Sequence, residues 1–267
     1  MTDVAAEPTP PVSASDFALE VRGVTKRFGA LVVLRGIDLH LRQGEVLGLV
    51  GDNGAGKSTL VKILSGFHQQ DDGDVLIGGE RVRLSSVEDA RSHGIETVYQ
   101  DLALIPQLPV FQNLFLGHEL TKLGPLRFLD KGEMRRLSRQ YLDEIRVRVP
   151  SVDAESEQLS GGQRQAVAVA RAVRAAPKIL LLDEPLAAMG ARESRLIIEL
   201  VKDLAASGRV SIIVIDHNYA HLFELCDRIN VMQNGRITRD QPVHETSLEE
   251  LTELMVTSYR QQLDAAS

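Results

Sequence analysis

The sequence contains no tryptophan and a single cysteine, Cys226, in 267 residues. One cysteine excludes an internal disulfide and a multi-cysteine zinc site, and it suits a reducing compartment. Aromatic residues make up only 4% of the chain, so stacking platforms for single-stranded nucleic acid are not expected. The net charge of −7 also argues against a nucleic-acid partner.

Apolar runs of the roughly 18–20 residues that cross a bilayer are also missing. Residues 1–15 are rich in Pro, Ala, Thr and Ser, and no basic region is followed there by an apolar stretch. We therefore predict a disordered leader over residues 1–16 without a signal peptide. We expect a soluble chain whose membrane role, if it has one, depends on a partner.

Apolar segments alternate with segments of helical spacing along the chain, which predicts an α/β fold with a parallel sheet. Between residues 100 and 156 the character changes to charged helices with several prolines, which predicts an inserted helical subdomain at about 101–165. This subdomain lies within a single domain expected over 17–242, which is followed by a C-terminal helical extension at 243–267. The predicted strands are 19–21, 34–41, 46–50, 75–77, 81–84, 95–99, 179–182 and 211–215, and the predicted helices are 58–64, 131–147, 163–176, 193–206 and 243–263.

A glycine-rich segment between the strand at 46–50 and the helix at 58–64 matches the phosphate-loop pattern G-x-x-x-x-G-K-[ST] in full. Backbone N–H groups and the helix N-terminus would hold phosphates, Lys57 would reach the β- and γ-phosphates, and Ser58 would bind Mg²⁺. A glycine turn that binds nothing is the alternative, and the strand-helix context disfavours it. The predicted nucleotide-binding residues are Gly51, Asp52, Asn53, Gly54, Ala55, Gly56, Lys57, Ser58 and Thr59.

Two carboxylates, Asp183 and Glu184, directly follow the apolar run at 179–182. A central strand would bring Asp183 beside the phosphate loop as a Mg²⁺ ligand. Glu184, one residue further, would orient and deprotonate an attacking water. A strand that merely ends in acidic residues is the common alternative, which the nearby phosphate loop makes less favourable.

A second anion cradle is predicted where Ser160, Gly161, Gly162 and Gln163 open an alanine-rich helix. For this segment alone, an ordinary Ser-Gly helix cap is the more common explanation. One nucleotide does not need two cradles so far apart in one chain. The pattern therefore indicates two chains that face each other, each closing the other's site.

Together these motifs resemble the ATPase subunits of ABC transporters. The phosphate loop, Gln100, the Leu-Ser-Gly-Gly-Gln segment, the Leu-Asp-Glu-Pro segment at 182–185 and His217 occur in that family's order and spacing, from residue 17 to about 235. The resemblance implies a P-loop NTPase core with a parallel sheet, an N-terminal antiparallel β-subdomain and an inserted helical subdomain. It also implies hydrolysis of ATP with Mg²⁺ by a homodimer, on the cytoplasmic face of the cell membrane and bound to an integral membrane permease.

The resemblance assigns roles to further residues. Gln100 is similar to the glutamine that touches Mg²⁺ and the attacking water, and His217 to the histidine that contacts the γ-phosphate. Phe28 resembles the aromatic residue that stacks on adenine, although a core phenylalanine at a strand end looks the same. The implied catalytic residues are Glu184, His217 and Gln100, and the implied Mg²⁺ ligands are Ser58, Gln100 and Asp183.

Three shorter segments, 51–53, 96–104 and 113–117, resemble the ATPases of bacterial sugar importers of the ribose/xylose/fructose type. Many of those ATPases fuse two cassettes, whereas this sequence has one, so two copies would have to pair. The likeness implies import of a monosaccharide. A periplasmic or lipid-anchored solute-binding protein would be an indirect partner, and the identity of the solute stays open.

Three positions depart from the family pattern. Gly190 lacks the carboxylate that usually helps to couple the two sites, Leu186 replaces a small hydroxyl residue, and Asp216 replaces the frequent serine before the histidine. None of these changes removes a predicted contact with phosphate, Mg²⁺ or water. We therefore expect catalysis.

Two other functions are compatible with such a cassette. A single-cassette ATPase in an assembly role, such as iron–sulfur biogenesis, would have no permease. A non-catalytic nucleotide-binding module would have no turnover, and the filled catalytic positions argue against it. Fractionation with membranes separates the first alternative from a transporter, and a phosphate-release assay separates the second.

Overall fold

The computed structural model describes residues 16–122, 128–187 and 189–250. The predicted leader, apart from Asp16, lies outside the described residues, as does Ala188. Of the predicted C-terminal helices, the structure shows a 3₁₀ turn at Val243–Glu245, and residues 251–263 lie outside the described part.

Strands and helices alternate along the described chain. The strands are β1 (Phe17–Phe28), β2 (Leu31–Arg42), β3 (Val46–Val50), β4 (Asp72–Ile77), β5 (Glu80–Val82), β6 (Ile95–Val98), β7 (Ile179–Asp183), β8 (Ser211–Ile215), β9 (Arg228–Gln233) and β10 (Arg236–Pro242). The α-helices are α1 (Lys57–Leu64), α2 (Val87–Ser92), α3 (Val110–Leu114), α4 (Lys131–Glu144), α5 (Gly161–Arg174), α6 (Ala191–Ala206) and α7 (Tyr219–Leu225).

The strands form two sheets, which confirms the predicted fold class. The smaller sheet, in the order β2-β1-β4-β5, is antiparallel, and β4 and β5 form a hairpin at the strands predicted for 75–77 and 81–84. The larger sheet has the order β10-β9-β3-β8-β7-β6. It is parallel from β9 to β6, and only its edge strand β10 runs antiparallel.

Alternate residues of the parallel strands face different layers, which explains their unbroken apolar sequences. Leu47 and Leu49 of β3 face α1 and the smaller sheet. Val46 and Val50 of the same strand face the cluster built from α5, α6 and α7. Because both faces are covered, every residue of β3 is buried. A central strand of this kind can hold the segment that follows it in a fixed position.

A third apolar cluster joins α3, α4 and the middle of α5. At its edge Asn113 is completely buried and forms four hydrogen bonds. Its side chain accepts from the Ile105 N–H at 2.8 Å and donates to the carbonyls of Ile105 and Leu108 at 3.0 Å and to Ser156 Oγ at 2.8 Å. One amide therefore ties the loop at 105–108 to α3 and to the turn at Ser156.

Strands β9 and β10 and helix α7 were not predicted from the sequence. β9 carries buried polar residues, Arg228 and Asn230, which hide its strand character. The Arg228 guanidinium donates to Glu45 at 2.7 Å and to Asp240 at 2.5 Å, and these two partners neutralise its charge. α7 has only seven residues and begins at Asn218, whose side chain accepts from the Ala220 N–H.

Replacing Asn113 with alanine is expected to destabilise the chain by about 1–3 kcal/mol or more, because buried donors and acceptors lose their partners. Chemical denaturation of the two proteins measures this difference. Gln112→Ala is the matched control, since the adjacent side chain is half-exposed and its loss leaves no buried group unpaired. Equal midpoints for Asn113→Ala and Gln112→Ala would contradict the assigned role.

Candidate functional site

Four neighbouring parallel strands end at the same edge of the larger sheet. In the strand register Leu49 and Asp183 both pair with Ile215, and Val98 pairs with Leu182. The segments that follow β3, β6, β7 and β8 therefore emerge side by side, as is typical of ligand sites in open α/β sheets. They carry the phosphate loop, Gln100, the two carboxylates and His217.

The phosphate loop approaches the neighbouring strand β9 so closely that no side chain fits there. A Cβ atom on Gly51 would lie 2.2 Å from the Met232 carbonyl oxygen. Gly56 has φ 109° at the N-terminus of α1, and a Cβ there would lie 2.8 Å from Leu34 and from Met232. Glycine is required at both positions, by close packing at Gly51 and by conformation as well at Gly56.

Lys57 is buried within this loop and binds the loop's own carbonyl groups. Its Nζ donates to the Gly51 carbonyl at 2.5 Å and to the Asp52 carbonyl at 3.0 Å. Burial lowers the pKa of Lys57, and the carboxylates of Asp52, Glu184 and Asp183 oppose that shift. The ammonium group thus lies among three acidic side chains and can turn towards an anion that enters the loop.

Asp183 ends β7 and is half-buried. Burial raises the pKa of its carboxyl, and the adjacent Glu184 charge adds to that effect, while Lys57 and Lys62 act against it. A carboxylate in this position gains from a nearby cation. The site therefore fits a divalent metal ion electrostatically.

Glu184 adopts a left-handed conformation, with φ 50°. Such a conformation costs a non-glycine residue about 1–2 kcal/mol. It is held by the Glu184 N–H, which donates to the Ile215 carbonyl at 2.7 Å. Its carboxylate Oε1 lies 3.4 Å from Nδ1 of His217. The turn thus places an acidic side chain opposite the mostly exposed imidazole that follows β8.

Two further predicted residues are Gln100, which follows β6 at this edge, and Phe28, which contacts His68 after the end of α1. Gln100 is exposed, two residues after the end of β6. The loop that follows it is fixed by Arg171, which donates to the Leu102 and Ala103 carbonyls, both at 2.7 Å. Phe28 is 44% exposed at the end of β1, with its ring 5.3 Å from that of His68. This exposure excludes the alternative that Phe28 is a core residue.

The segment from Ser160 to Gln163 opens α5 as a complete capping box. Gln163 also donates to the Arg148 carbonyl at 3.4 Å. A Cβ on Gly162 would lie 2.9 Å from Cβ of Glu193, so α5 and α6 touch at this glycine. In the described part of the chain, no hydrogen bond joins this segment to residues 51–59. Among the described residues, the two anion cradles of one chain are therefore not joined by a hydrogen bond.

The oxygen-rich end of the sheet suits Mg²⁺, which takes oxygen ligands and keeps several waters or phosphate oxygens. Among residues 16–122, 128–187 and 189–250, no three His, Cys, Asp or Glu side chains are placed to hold a metal ion by themselves. A hydroxyl such as that of Ser58 and one carboxylate would leave the remaining positions to substrate and water. The donor set therefore fits a metal that arrives with a phosphate compound.

Sequence reasoning gave no role to Met232, Tyr219 or His221, which surround the same end of the sheet. Met232 limits the space at the phosphate loop. Burial, together with the charge of Asp52, raises the pKa of the Tyr219 hydroxyl. Only His221 could have been found from the sequence. It follows His217 by four residues, a spacing that brings side chains close together where the chain is helical.

The ABC transporter family matches residues 34–187, which is more than half of the chain. The chain therefore belongs to the ABC transporter family. It is an ATP-binding cassette, an ATPase that supplies energy for transport. The resemblance drawn from the motifs is confirmed.

Curated relatives cover nearly the whole chain. It is 47% identical over 239 residues to the xylose/arabinose import ATP-binding protein XylG of Sulfolobus acidocaldarius, covering 90% of this chain and 94% of the relative. It is 42% identical to the fructose import ATP-binding protein FrcA of Rhizobium meliloti, and the alignment covers 84% of this chain and 87% of FrcA. The chain spans about half the length of the ribose import ATP-binding protein RbsA of Chromobacterium violaceum, at 40% identity, covering 88% of this chain and 46% of that protein.

Solved structures share the fold. The ADP conformation of MJ1267, an ATP-binding cassette of an ABC transporter, superposes with a TM-score of 0.78 at 25% identity, covering 91% of this chain and 98% of that one. The dimeric bacterial cassette MJ0796 superposes with a TM-score of 0.71 at 24% identity, and the match covers 84% of this chain and 98% of MJ0796. Within the described residues of our chain, none of the helices has the length and apolar character needed to cross a membrane.

Replacing Lys57 with methionine is expected to weaken ATP binding about 10- to 100-fold, because a charged hydrogen bond contributes about 1.5–3 kcal/mol. Titration with a fluorescent ATP analogue measures the dissociation constant. Lys202→Met on the exposed face of α6 removes the same charge away from the site and should bind like the wild type. Equal affinities for the two variants would show that Lys57 does not contact the nucleotide.

Proposed function

We propose that this chain powers the import of a monosaccharide through a separate membrane permease. The sugar assignment is supported by the relatives XylG and FrcA, which are named for import of xylose/arabinose and fructose and align over most of their own length. ABC cassettes dimerise, and import ATP-binding proteins work with membrane permeases. The assembly-role alternative is not favoured by these relatives.

One observation carries the catalytic part of this proposal: the four strand ends that meet at a single edge of the sheet. Because the strands are parallel and in register, the phosphate loop, the acidic turn and His217 lie within reach of one small ligand. Lys57 and the loop N–H groups would bind the phosphates, and Phe28 would stack on the adenine. The ring of Phe28 is accessible for this purpose.

Mg²⁺, held by Ser58, Asp183 and Gln100, would neutralise charge on the phosphates. Glu184 is the proposed general base, which orients a water and accepts its proton. His217, next to that carboxylate, would contact the γ-phosphate. In the structure Nδ1 of His217 lies 3.4 Å from the Glu184 carboxylate, so both side chains face the same small volume.

Two copies of the chain would complete each other's sites. Ser160 is exposed at the start of α5, with Gly161 and Gly162 next to it, so a phosphate from outside can approach this helix N-terminus. The segment has no hydrogen bond to its own phosphate loop among the described residues. Both features suit an ATP molecule bound between Gly51–Thr59 of one copy and Ser160–Gln163 of the other.

The proposed complex lies on the inner face of the cell membrane. A permease helix would dock on the surface around residues 101–116, directly after Gln100. This loop is fixed to α5 by Arg171, so a displacement of the permease helix would move Gln100 and the Ser160 helix together. A periplasmic or lipid-anchored solute-binding protein would choose the sugar, and it would meet the permease and not this chain.

Replacing Glu184 with glutamine is expected to preserve ATP binding and to lower the turnover number about 10²- to 10⁴-fold, because the proton acceptor is lost. Steady-state phosphate release with saturating MgATP measures turnover, and the fluorescent analogue measures binding. Glu80→Gln on β5, the edge strand of the smaller sheet, removes an exposed carboxylate outside the site and should retain turnover. Unchanged hydrolysis in Glu184→Gln would eliminate Glu184 as the base.

Affinity purification of the tagged chain from detergent-solubilised membranes of its source, followed by mass spectrometry, tests the transporter assignment. We expect a polytopic permease to copurify. A variant with both Ile105→Asp and Asp101→Arg on the proposed docking surface should lose it, since the side chains of Ile105 and Asp101 are exposed there. Recovery of non-membrane partners alone would support an assembly role instead.

A further inference from the structure

Asp216, which follows β8 and precedes His217, is a buried carboxylate with an incomplete set of hydrogen bonds. Only 2% of the residue is exposed. Its Oδ1 accepts from the Asn218 N–H at 2.9 Å. Within the part of the chain that the structure describes, its Oδ2 is buried and has no hydrogen-bond partner. A buried acceptor of this kind is costly unless a donor or a cation faces it.

Two histidines flank this carboxylate, one on each oxygen. Nδ1 of His217 lies 3.8 Å from Oδ1, and Nδ1 of His221, on the first turn of α7, lies 3.7 Å from Oδ2. Nδ1 of His221 is also buried without a hydrogen-bond partner among the described residues. The side chain of Asn218 lies 3.4 Å from Nε2 of the same ring. Asp216 is thus held between the imidazole of the nucleotide site and a second imidazole behind it.

The ring of His217 presents the same nitrogen to two carboxylates. Its Nδ1 lies 3.4 Å from Glu184 and 3.8 Å from Asp216. An ionised carboxylate only accepts hydrogen bonds, so both neighbours favour a proton on Nδ1. The tautomer of a histidine is set by the partner of one ring nitrogen, which leaves the other for its ligand. Here Nε2 is the nitrogen left available.

We infer that Asp216 is a positioning residue for His217, one that keeps a proton on Nδ1 and fixes the ring so that Nε2 meets the phosphate. This inference rests on the proposed role of His217. Asp216 suits the task better than Glu184, which must exchange its own proton during each proposed turnover. Asp216 is shielded from solvent, the Asn218 N–H donates to its Oδ1, and the ring of His221 lies behind it.

Imidazole ¹⁵N NMR of the nucleotide-free chain tests the inference without any need for turnover. The signals of His217 are identified among the seven histidines by their loss in His217→Gln. At about pH 8.5, where an ordinary imidazole is neutral, we expect the Nδ1–H tautomer of His217 to predominate. Asp216→Ala and Asp216→Asn should both raise the Nε2–H fraction, the alanine variant more.

Glu224→Gln, which removes an exposed carboxylate from α7, is the control and should leave the His217 signals unchanged. An unaltered Nδ1–H fraction in both Asp216 variants would overturn the inference. If the alanine variant fails to fold, Asp216→Asn decides alone, because its neutral amide oxygen is a weaker acceptor for a proton on Nδ1 than the carboxylate it replaces. Thermal melting establishes which variants are folded.

Kinetics supply a second, separate readout. We expect Asp216→Asn to lower kcat roughly 10- to 100-fold, the range found when the partner that orients a metal-bound histidine is lost. KM for ATP should change less than twofold. A rise in KM with unchanged kcat would contradict the assigned role. A wild-type chain that shows the predicted tautomer but no turnover would refute the proposed function and leave the Asp216–His217 contact standing.

Discussion

The register of four parallel strands is the constraint on which the rest of this molecule depends. Pairing of Ile215 with both Leu49 and Asp183 fixes where the phosphate loop, the acidic turn and the His217 segment leave the sheet. Those strands are buried on both faces, so a slip of one residue would turn every apolar side chain towards the wrong layer. The same packing that stabilises the sheet therefore holds the acidic turn against the phosphate loop, and no separate structure is needed to align them.

The site concentrates strained and buried polar groups at the ends of fully buried strands. Glu184 adopts a left-handed conformation, Asp216 is a buried carboxylate, and Lys57 is a buried ammonium group. Each arrangement is unfavourable alone and persists because neighbouring backbone groups over-determine it. A buried charge outside the site, such as that of Arg228, is instead paired with an opposite charge, here that of Glu45.

Local patterns predicted what depends on local chemistry. The apolar runs at β3, β7 and β8, the phosphate loop and the Ser160 cap all follow from neighbouring residues, and the structure forms each of them. The sequence did not reveal β9, because Arg228 and Asn230 become compatible with a buried strand only through Glu45 and Asp240, far away in sequence or across a hairpin. The contact of Met232 with Gly51 is non-local in the same way.

The hydrogen bonds of Lys57 explain why its contribution to nucleotide binding should be moderate. In the chain alone, Nζ is satisfied by the carbonyls of Gly51 and Asp52, so it does not collapse onto Asp183 or Glu184. A phosphate must replace these bonds, and the net gain is the difference between a charged and a neutral acceptor. The loop is therefore ordered in advance, and much of the affinity must come from its N–H groups and the N-terminus of α1.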